Sequence, residues 1–263
     1  MSVFLACPWQ PRGELARFRR YLPRLHEIYG IGNIVLSLKS GEADTEITAG
    51  LDELGVSYQW FDQWSGRHTV LKLAVDQGAD HIHYVDMDRL VRWVELYPDD
   101  LRQMVEKLQT VDCLFIGRTP EAYATHPRTL VDTERLVNTV FSHHFGRSID
   151  FASGSRGFSR RAAQWILAND DDRNSLSMDA GWAILMLRAG LSWDYIETDS
   201  LDWETADRFR DSAAGPDEQR ALVEKQDANP EIWRWRVNVA QQILDYGLKA
   251  LSQPLAAPEA PQP

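Results

Sequence analysis

The chain has 263 residues and 44% apolar content, enough to build one large α/β domain or two small ones. Its formal net charge of −11 excludes general nucleic-acid binding, because nothing would offset repulsion from phosphates. Two cysteines, Cys7 and Cys113, make no disulfide framework and fit a reducing compartment. MSVFLACPW has neither the basic start nor the apolar length of a signal peptide, and the longest apolar run is AILML at 183–187. No transmembrane segment is therefore expected, and the expected location is cytoplasmic.

The predicted elements alternate. Residues 2–7 read as a buried strand stopped by Pro8. Residues 13–29 read as a helix with Leu15, Phe18, Leu22, Leu25 and Tyr29 on one face, and Pro23 is expected to kink or divide it. A second strand at 33–38 leads through SGEAD (40–44) to a short helix capped by Asp44 or Thr45 and closed by Gly55. Strands at 56–61 and 81–86 flank a helix at 67–77. This order predicts a parallel sheet with right-handed crossovers. Further on, the pattern gives helices at 98–109 and 128–144 and a strand at 112–117. ASGSRGFSRRAAQWIL (152–167) reads as a turn, a strand and a helix begun at Ser159. DAGWAILMLRAG (179–190) is apolar nearly all round, with Asp179 as its cap, and 192–198 is a late strand. A polar loop leads to a last helix from about Pro230, with Trp233, Val237, Ala240, Leu244, Leu248 and Leu251 on its stripe. The expected organisation is one domain over 1–228, a helical appendage over 229–252 and a disordered tail over 253–263.

Chemistry concentrates in DHIHYVDMDRL (80–90). Two aspartates, Asp86 and Asp88, close the fourth strand, where open parallel sheets bind their ligands. If the chain stays extended both carboxylates face one side, and a hard cation such as Mg²⁺ or Mn²⁺ suits them. The plainer reading makes Asp86 a strand end and Asp88 a helix cap. Arg67 and Lys72 are candidates for neutralising a diphosphate, or are surface cations of a helix. His81 and His83 share a strand face, more often a core position than a zinc pair, and the adjacent His143 and His144 cannot share a ligand. Arg12, Arg17, Arg19, Arg20 and Arg24 form either a solvated helix face or a seat for an anion.

The region resembles the GT-A-fold nucleotide-sugar glycosyltransferases, particularly family 2 and the dolichol-phosphate-mannose-synthase-like group. The resemblance rests on SGEADT (40–45), SGRHTVLKLAVDQGADHIHYVDMD (65–88), GSRGFSRRAAQWIL (154–167) and MDAGWAILMLRAGLSW (178–193), and covers roughly residues 1–200. It implies a GT-A fold with a mostly parallel central sheet flanked by helices. It also implies a glycosyltransferase that moves sugar from a UDP- or GDP-linked donor to an unknown hydroxyl acceptor, whether small molecule, lipid phosphate or glycan. Asp86 and Asp88 would hold Mg²⁺ or Mn²⁺, and Asp86 would also touch the donor. Asp179 would be the general base. Pro8, Trp9, Asp44, Arg67, Lys72, Gly154, Ser155 and Arg156 would line the donor site, with Trp9 stacking on the base.

The chain departs from that pattern in places. CPWQPRGE (7–14) replaces the usual opening, Leu38-Lys39 replaces an acidic strand end, and Met178-Asp179 leaves one acid where two are usual. Asp202, Glu204 and Asp207 are candidates for a third metal contact, on a loop (199–211) expected to act as a mobile lid. Trp182 and Trp203 are candidate sugar platforms. Two other readings stand beside this one: a non-catalytic sugar-nucleotide binder of the same fold, and a phosphoryl-transfer enzyme that uses the same aspartate pair.

Overall fold

The computed structural model describes residues 1–41, 45–62, 65–170 and 175–256. The first half is built of β1 (Val3–Trp9), α1 (Leu15–Tyr29), β2 (Ile34–Lys39), α2 (Thr45–Leu54), β3 (Ser57–Phe61), α3 (Gly66–Asp76), β4 (His81–Val85) and α4 (Met87–Leu96). The second half continues with α5 (Pro98–Lys107), β5 (Cys113–Arg118), α6 (Pro120–Ala124), α7 (Arg128–Phe145), β6 (Ser155–Ser159) and α8 (Arg160–Asn169). A π-helical turn (Met178–Trp182) runs into α9 (Ala183–Arg188), and β7 (Trp193–Thr198), α10 (Pro216–Asp227) and α11 (Pro230–Ser252) close the chain.

The strands form one sheet in the order β3-β2-β1-β4-β6-β5-β7. Only β6 runs against its neighbours, β4 and β5; the other pairs are parallel. Successive residues of β1 serve opposite faces. Phe4 and Ala6 join the core beneath α3, α7, α8 and α11, whereas Leu5 and Cys7 join the core beneath α1, α4 and α5. Burial on both faces explains why β1 reads as a continuous apolar run.

Several expectations change. Pro23 does not divide α1, which runs unbroken for 15 residues. The helix expected at 179–190 opens instead as the π-helical turn, so Asp179 caps nothing. A π-turn inside a helix often marks a functional position. The polar stretch before Pro230 contains α10, whose Pro216 at the first turn and acidic Asp217 and Glu218 are ordinary helix-start signals. The stripe of α11 is rotated: Val239, Ala240, Ile243, Gly247 and Ala250 are inward, while Val237 and Leu248 are exposed. Gly247 permits this, since a Cβ there would run into the Phe141 ring of α7. Part of the expected tail is docked, with Gln253 Nε2 and the Ala256 amide donating to Asn169. Residues 257–263 lie outside the described residues.

Candidate active site

A cleft of about 690 Å³ opens along the carboxyl ends of β1 to β4, the place that a parallel sheet reserves for ligands. Pro8 and Trp9 come from the end of β1, Lys39 from β2, and Phe61 and Asp62 from β3 and just beyond it. Ser65, Gly66 and Arg67 bring in the start of α3, and Asp86, Met87 and Asp88 the junction of β4 and α4. Ser65 caps α3 by accepting from the His68 amide, and its hydroxyl lies 2.7 Å from His68 Nδ1. The far wall is Ser175 and Trp235.

Asp86 sits at the cap position of α4 in extended conformation, and α4 begins at Met87. The extended geometry expected for the pair therefore ends between its members, and Asp88 lies in the first helical turn. Both still line the same cleft, where the partial positive charge of a helix start favours carboxylates. Tyr84 donates its hydroxyl to Asp86 Oδ1 at 2.6 Å, and Arg67 Nη2 stands 3.5 Å from Asp86 Oδ2. Arg12 Nη1 is 3.7 Å from Asp88 Oδ2.

Burial and the nearby charges of Glu204 and Asp86, partly offset by Arg89, push the Asp88 carboxyl up to about 7. Glu204 is paired with Arg89 at 3.3 Å, yet its buried Oε2 has no hydrogen-bond partner among the described residues. Of the three loop acids it bears most strongly on Asp88. Asp202 and Asp207 are spent on Arg92, at 2.5 and 2.9 Å, and Asp207 also meets Arg17 at 3.1 Å. These buried pairs draw Ser200–Asp207 into the protein, so the stretch expected to be a free lid is largely packed.

The donor set fits a hard divalent cation. Asp86 and Asp88 supply anionic oxygens, and the carboxyl held near 7 marks negative charge that a cation would relieve. Among the described residues no three acidic, His or Cys side chains form a closed cage, so further ligands would have to come from a bound molecule or water.

Asp179 is 6% exposed and faces Arg67, whose Nη1 lies 3.3 Å from Asp179 Oδ1 and also donates to the Ser175 carbonyl. Burial opposes the charge on Arg67, but Tyr84, Asp86 and Asp179 together raise its pKa above the ordinary arginine value. Burial raises the Asp179 carboxyl despite Arg67 and Arg156. Gly154 lies beside Asp86: its carbonyl accepts from the Asp86 amide, and its φ is +73°. A Cβ there would stand 2.7 Å from Arg89 Nε and 2.9 Å from Asp86 Oδ2.

Other expected donor residues lie elsewhere. Lys72 points away on the exposed side of α3 and pairs with Asp76. Ser155 is buried and bonds His83 Nε2 at 3.0 Å, and Arg156 is buried with its guanidinium on the carbonyls of Phe151, Met178 and Asp179. Trp9 is 2% exposed and packs on Phe18, so its ring faces are not open to a base. Trp182 and Trp203 are likewise buried. Asp44 lies outside the described residues. His83 has both nitrogens occupied, by Tyr29 and Ser155, which leaves none for zinc. The arginine run divides: Arg19, Arg20 and Arg24 are solvated, Arg17 is buried between Glu95 and Asp207, and Arg12 reaches the cleft.

Several cleft residues were not expected as donor contacts from the sequence, among them Arg12, Lys39, Asp62 and Trp235. Lys39 and Asp62 carry a usable signal, since Lys39 ends β2 and Asp62 directly follows β3. Arg12 was visible only as one of a run, and Trp235 gave no sign because its helix begins far from every motif. Trp235 is 58% exposed, the one aromatic of the lining whose ring is largely open.

Comparison with solved structures places this architecture. Glucosyl-3-phosphoglycerate synthase from Mycobacterium tuberculosis, in complex with Mn²⁺, UDP-glucose and phosphoglyceric acid, superposes with a TM-score of 0.60 over 96% of this chain and 80% of that one, at 13% identity. The same enzyme with Mn²⁺, UDP and phosphoglyceric acid gives 0.59 over 96% and 79%, at 12% identity. The fold is GT-A. A further match, the crystal structure of a mycobacterial protein, gives 0.56 over 96% and 76%, at 13% identity. No protein-family model matches the chain, and no curated protein matches it in sequence. The GT-A likeness does not single out the dolichol-phosphate-mannose-synthase-like group. Among the described residues no helix is long and apolar enough to cross a membrane.

Proposed function

We propose that the chain is a metal-dependent glycosyltransferase using a nucleoside-diphosphate sugar, UDP- or GDP-linked, as donor. The observation that carries this reading is the aspartate pair at the end of β4, inside a cleft that also presents Arg12, Lys39 and Arg67. Asp86 and Asp88 would hold Mg²⁺ or Mn²⁺, with oxygens of the bound donor and water filling the remaining positions. When bound, the cation supplies Lewis-acid compensation for charge on the departing diphosphate. Mn²⁺ and UDP-glucose in the structural neighbour support the same choice.

The chain's own groups then divide the work. Arg67, and Arg12 once drawn from Asp88, neutralise diphosphate oxygens. Lys39 and Asp62 sit where the nucleoside would lie and are better placed than Trp9 to read its base. Trp235 offers a platform for a sugar or base. Asp179 takes the proton of the acceptor hydroxyl; burial raises its pKa, which makes it a stronger base than an exposed aspartate. Gly154 leaves room for the side chains of Asp86 and Arg89, both of which a Cβ there would crowd.

Calorimetry with UDP-glucose and GDP-mannose, in Mn²⁺ and in EDTA, tests the donor and the metal together. Binding is expected only with the cation; equal affinity in EDTA removes the metal role, and no binding to either nucleotide removes the donor reading. One observation favours a binder without turnover, namely that Asp179 is already paired with Arg67. Release of labelled sugar from a bound donor decides between the two.

A further inference from the structure

Helix α11 carries more apolar surface than its own fold covers. Its buried stripe is Val239, Ala240, Ile243, Gly247 and Ala250, with Gly247 closed against Phe141 of α7. A second stripe lies beside it: Trp233 and Leu244 are half-buried, and Val237 and Leu248 are each 53% exposed. These four are spaced four, seven and four residues apart, so they keep to one side of a 3.6-residue helix. The Trp233 indole is held by its bond to the Asp227 carbonyl at 2.9 Å, which presents the end of the stripe as a formed surface. On α7, which packs along α11, Leu136 and Val140 are exposed one turn apart. Single exposed apolar residues are ordinary, but a run of them along one side of a helix marks an interaction surface.

The stripe reads the same from either end. Its midpoint falls between Ala240 and Gln241; Val237 and Leu244 are equidistant from it, and so are Trp233 and Leu248 outside them. A helix with that symmetry is complementary to a reversed copy of itself. Trp233 then meets Leu248 of the second copy, Val237 meets its Leu244, and the two-fold axis repeats both contacts. Charge agrees with the reversed direction. Arg234 is 74% exposed beside the stripe, and it comes opposite the turn 244–247 of the other copy, which holds Asp245. Asp245 is exposed, and its carboxylate has no partner among the described residues. Arg234 also meets Glu231 of its own helix at 2.5 Å, and a guanidinium has donors enough for both acids. In a parallel pair, arginine would face arginine and aspartate would face aspartate. We infer that the protein is a homodimer in solution, joined by antiparallel contact of α11 with α11 of a second copy. No residue of the stripe lines the cleft, so the inference stands apart from the transferase reading.

Sedimentation velocity of the full chain at micromolar concentration tests this. The parent should sediment as a dimer that dissociates on dilution. Leu248→Glu, at an exposed position, should keep the circular-dichroism spectrum and raise the dissociation constant by about a hundredfold, because association would bury two unpaired carboxylates. Arg234→Glu and Asp245→Arg should each weaken association by roughly fivefold, through like charges across the axis. An equal mixture of those two variants should associate as the parent does, since each altered charge then meets its opposite. A parent that stays monomeric overturns the inference. A dimer that survives Leu248→Glu overturns it too, because it must join through another face. A mixture that associates no better than either variant alone removes the antiparallel pairing.

Discussion

The Arg67 guanidinium meets the Asp179 carboxylate across 3.3 Å, joining the start of α3 to the π-helical turn over 112 residues of sequence. The same guanidinium stands 3.5 Å from Asp86. One cation therefore ties the acid expected to hold metal to the acid expected to take a proton, and a donor diphosphate that draws Arg67 away would free both.

Asp179→Asn keeps an oxygen for Arg67 but cannot accept a proton. Donor affinity should stay near the parent value and the melting temperature should move little, while turnover should fall by roughly 10²-fold or more. Steady-state kinetics beside a melting curve check this. Full activity would leave Asp179 as a partner of Arg67 and nothing else.

Asp88→Asn should weaken donor binding in Mn²⁺ by about 1.5–3 kcal/mol, the scale of a lost charged contact. Lys72→Ala, at a position turned away from the cleft, should change nothing. Titrations of the two variants side by side separate a site effect from a general loss of positive charge.

The Asp88 carboxyl also sets a dependence on pH. Its folded pKa, about 7, lies above the ordinary aspartate value near 3.8, so between those limits the native state holds a proton that the unfolded state has released. In that window the contribution of Asp88 to stability declines as pH rises, and is fully lost only above about 7. Measured without divalent cation, Asp88→Asn should therefore match the parent near pH 4 and be the more stable of the two near pH 8. Identical pH curves for both proteins would show that the carboxyl is not raised.

Gly154→Ala combines a positive φ with a Cβ pressed on Arg89 and Asp86. The cost should be about 1–3 kcal/mol of stability, with donor affinity lowered in the protein that still folds. Trp235→Ala, an exposed change, should leave stability within about 0.5 kcal/mol yet weaken the donor or acceptor, as read from calorimetry.

The half of the sheet up to β4 was legible because β1, β2 and β4 are largely buried on both faces and the helices between them keep a 3.6-residue period. The aspartate pair was legible because it closes a strand. What escaped lay beyond local pattern. Asp179 was read as a cap because an acid precedes an apolar run, but the backbone there widens to a π-turn whose carbonyls are gripped by Arg156. Arg156, expected from the family resemblance to line the donor site, is that grip. Asp202 and Asp207 looked like free loop acids until the structure brought Arg92 and Arg17 to them from α4 and α1. Trp235 needed the whole fold to bring it to the cleft.

The reversed strand β6 has a consequence for synthesis on the ribosome. Once residue 85 has emerged, β1 to β4 can pair with one another in a finished parallel block. β5, spanning Cys113–Arg118, cannot join that block directly, because its only link to β4 is β6 at Ser155–Ser159. The Asp86 amide waits as well, since the carbonyl that receives it belongs to Gly154. The nascent chain must therefore carry an unpaired apolar strand through some forty residues of translation, on the order of seconds, before the site can close. Slow decoding between β5 and β6 would lengthen that exposure, and aggregation of truncated chains should peak for those that end between the two strands.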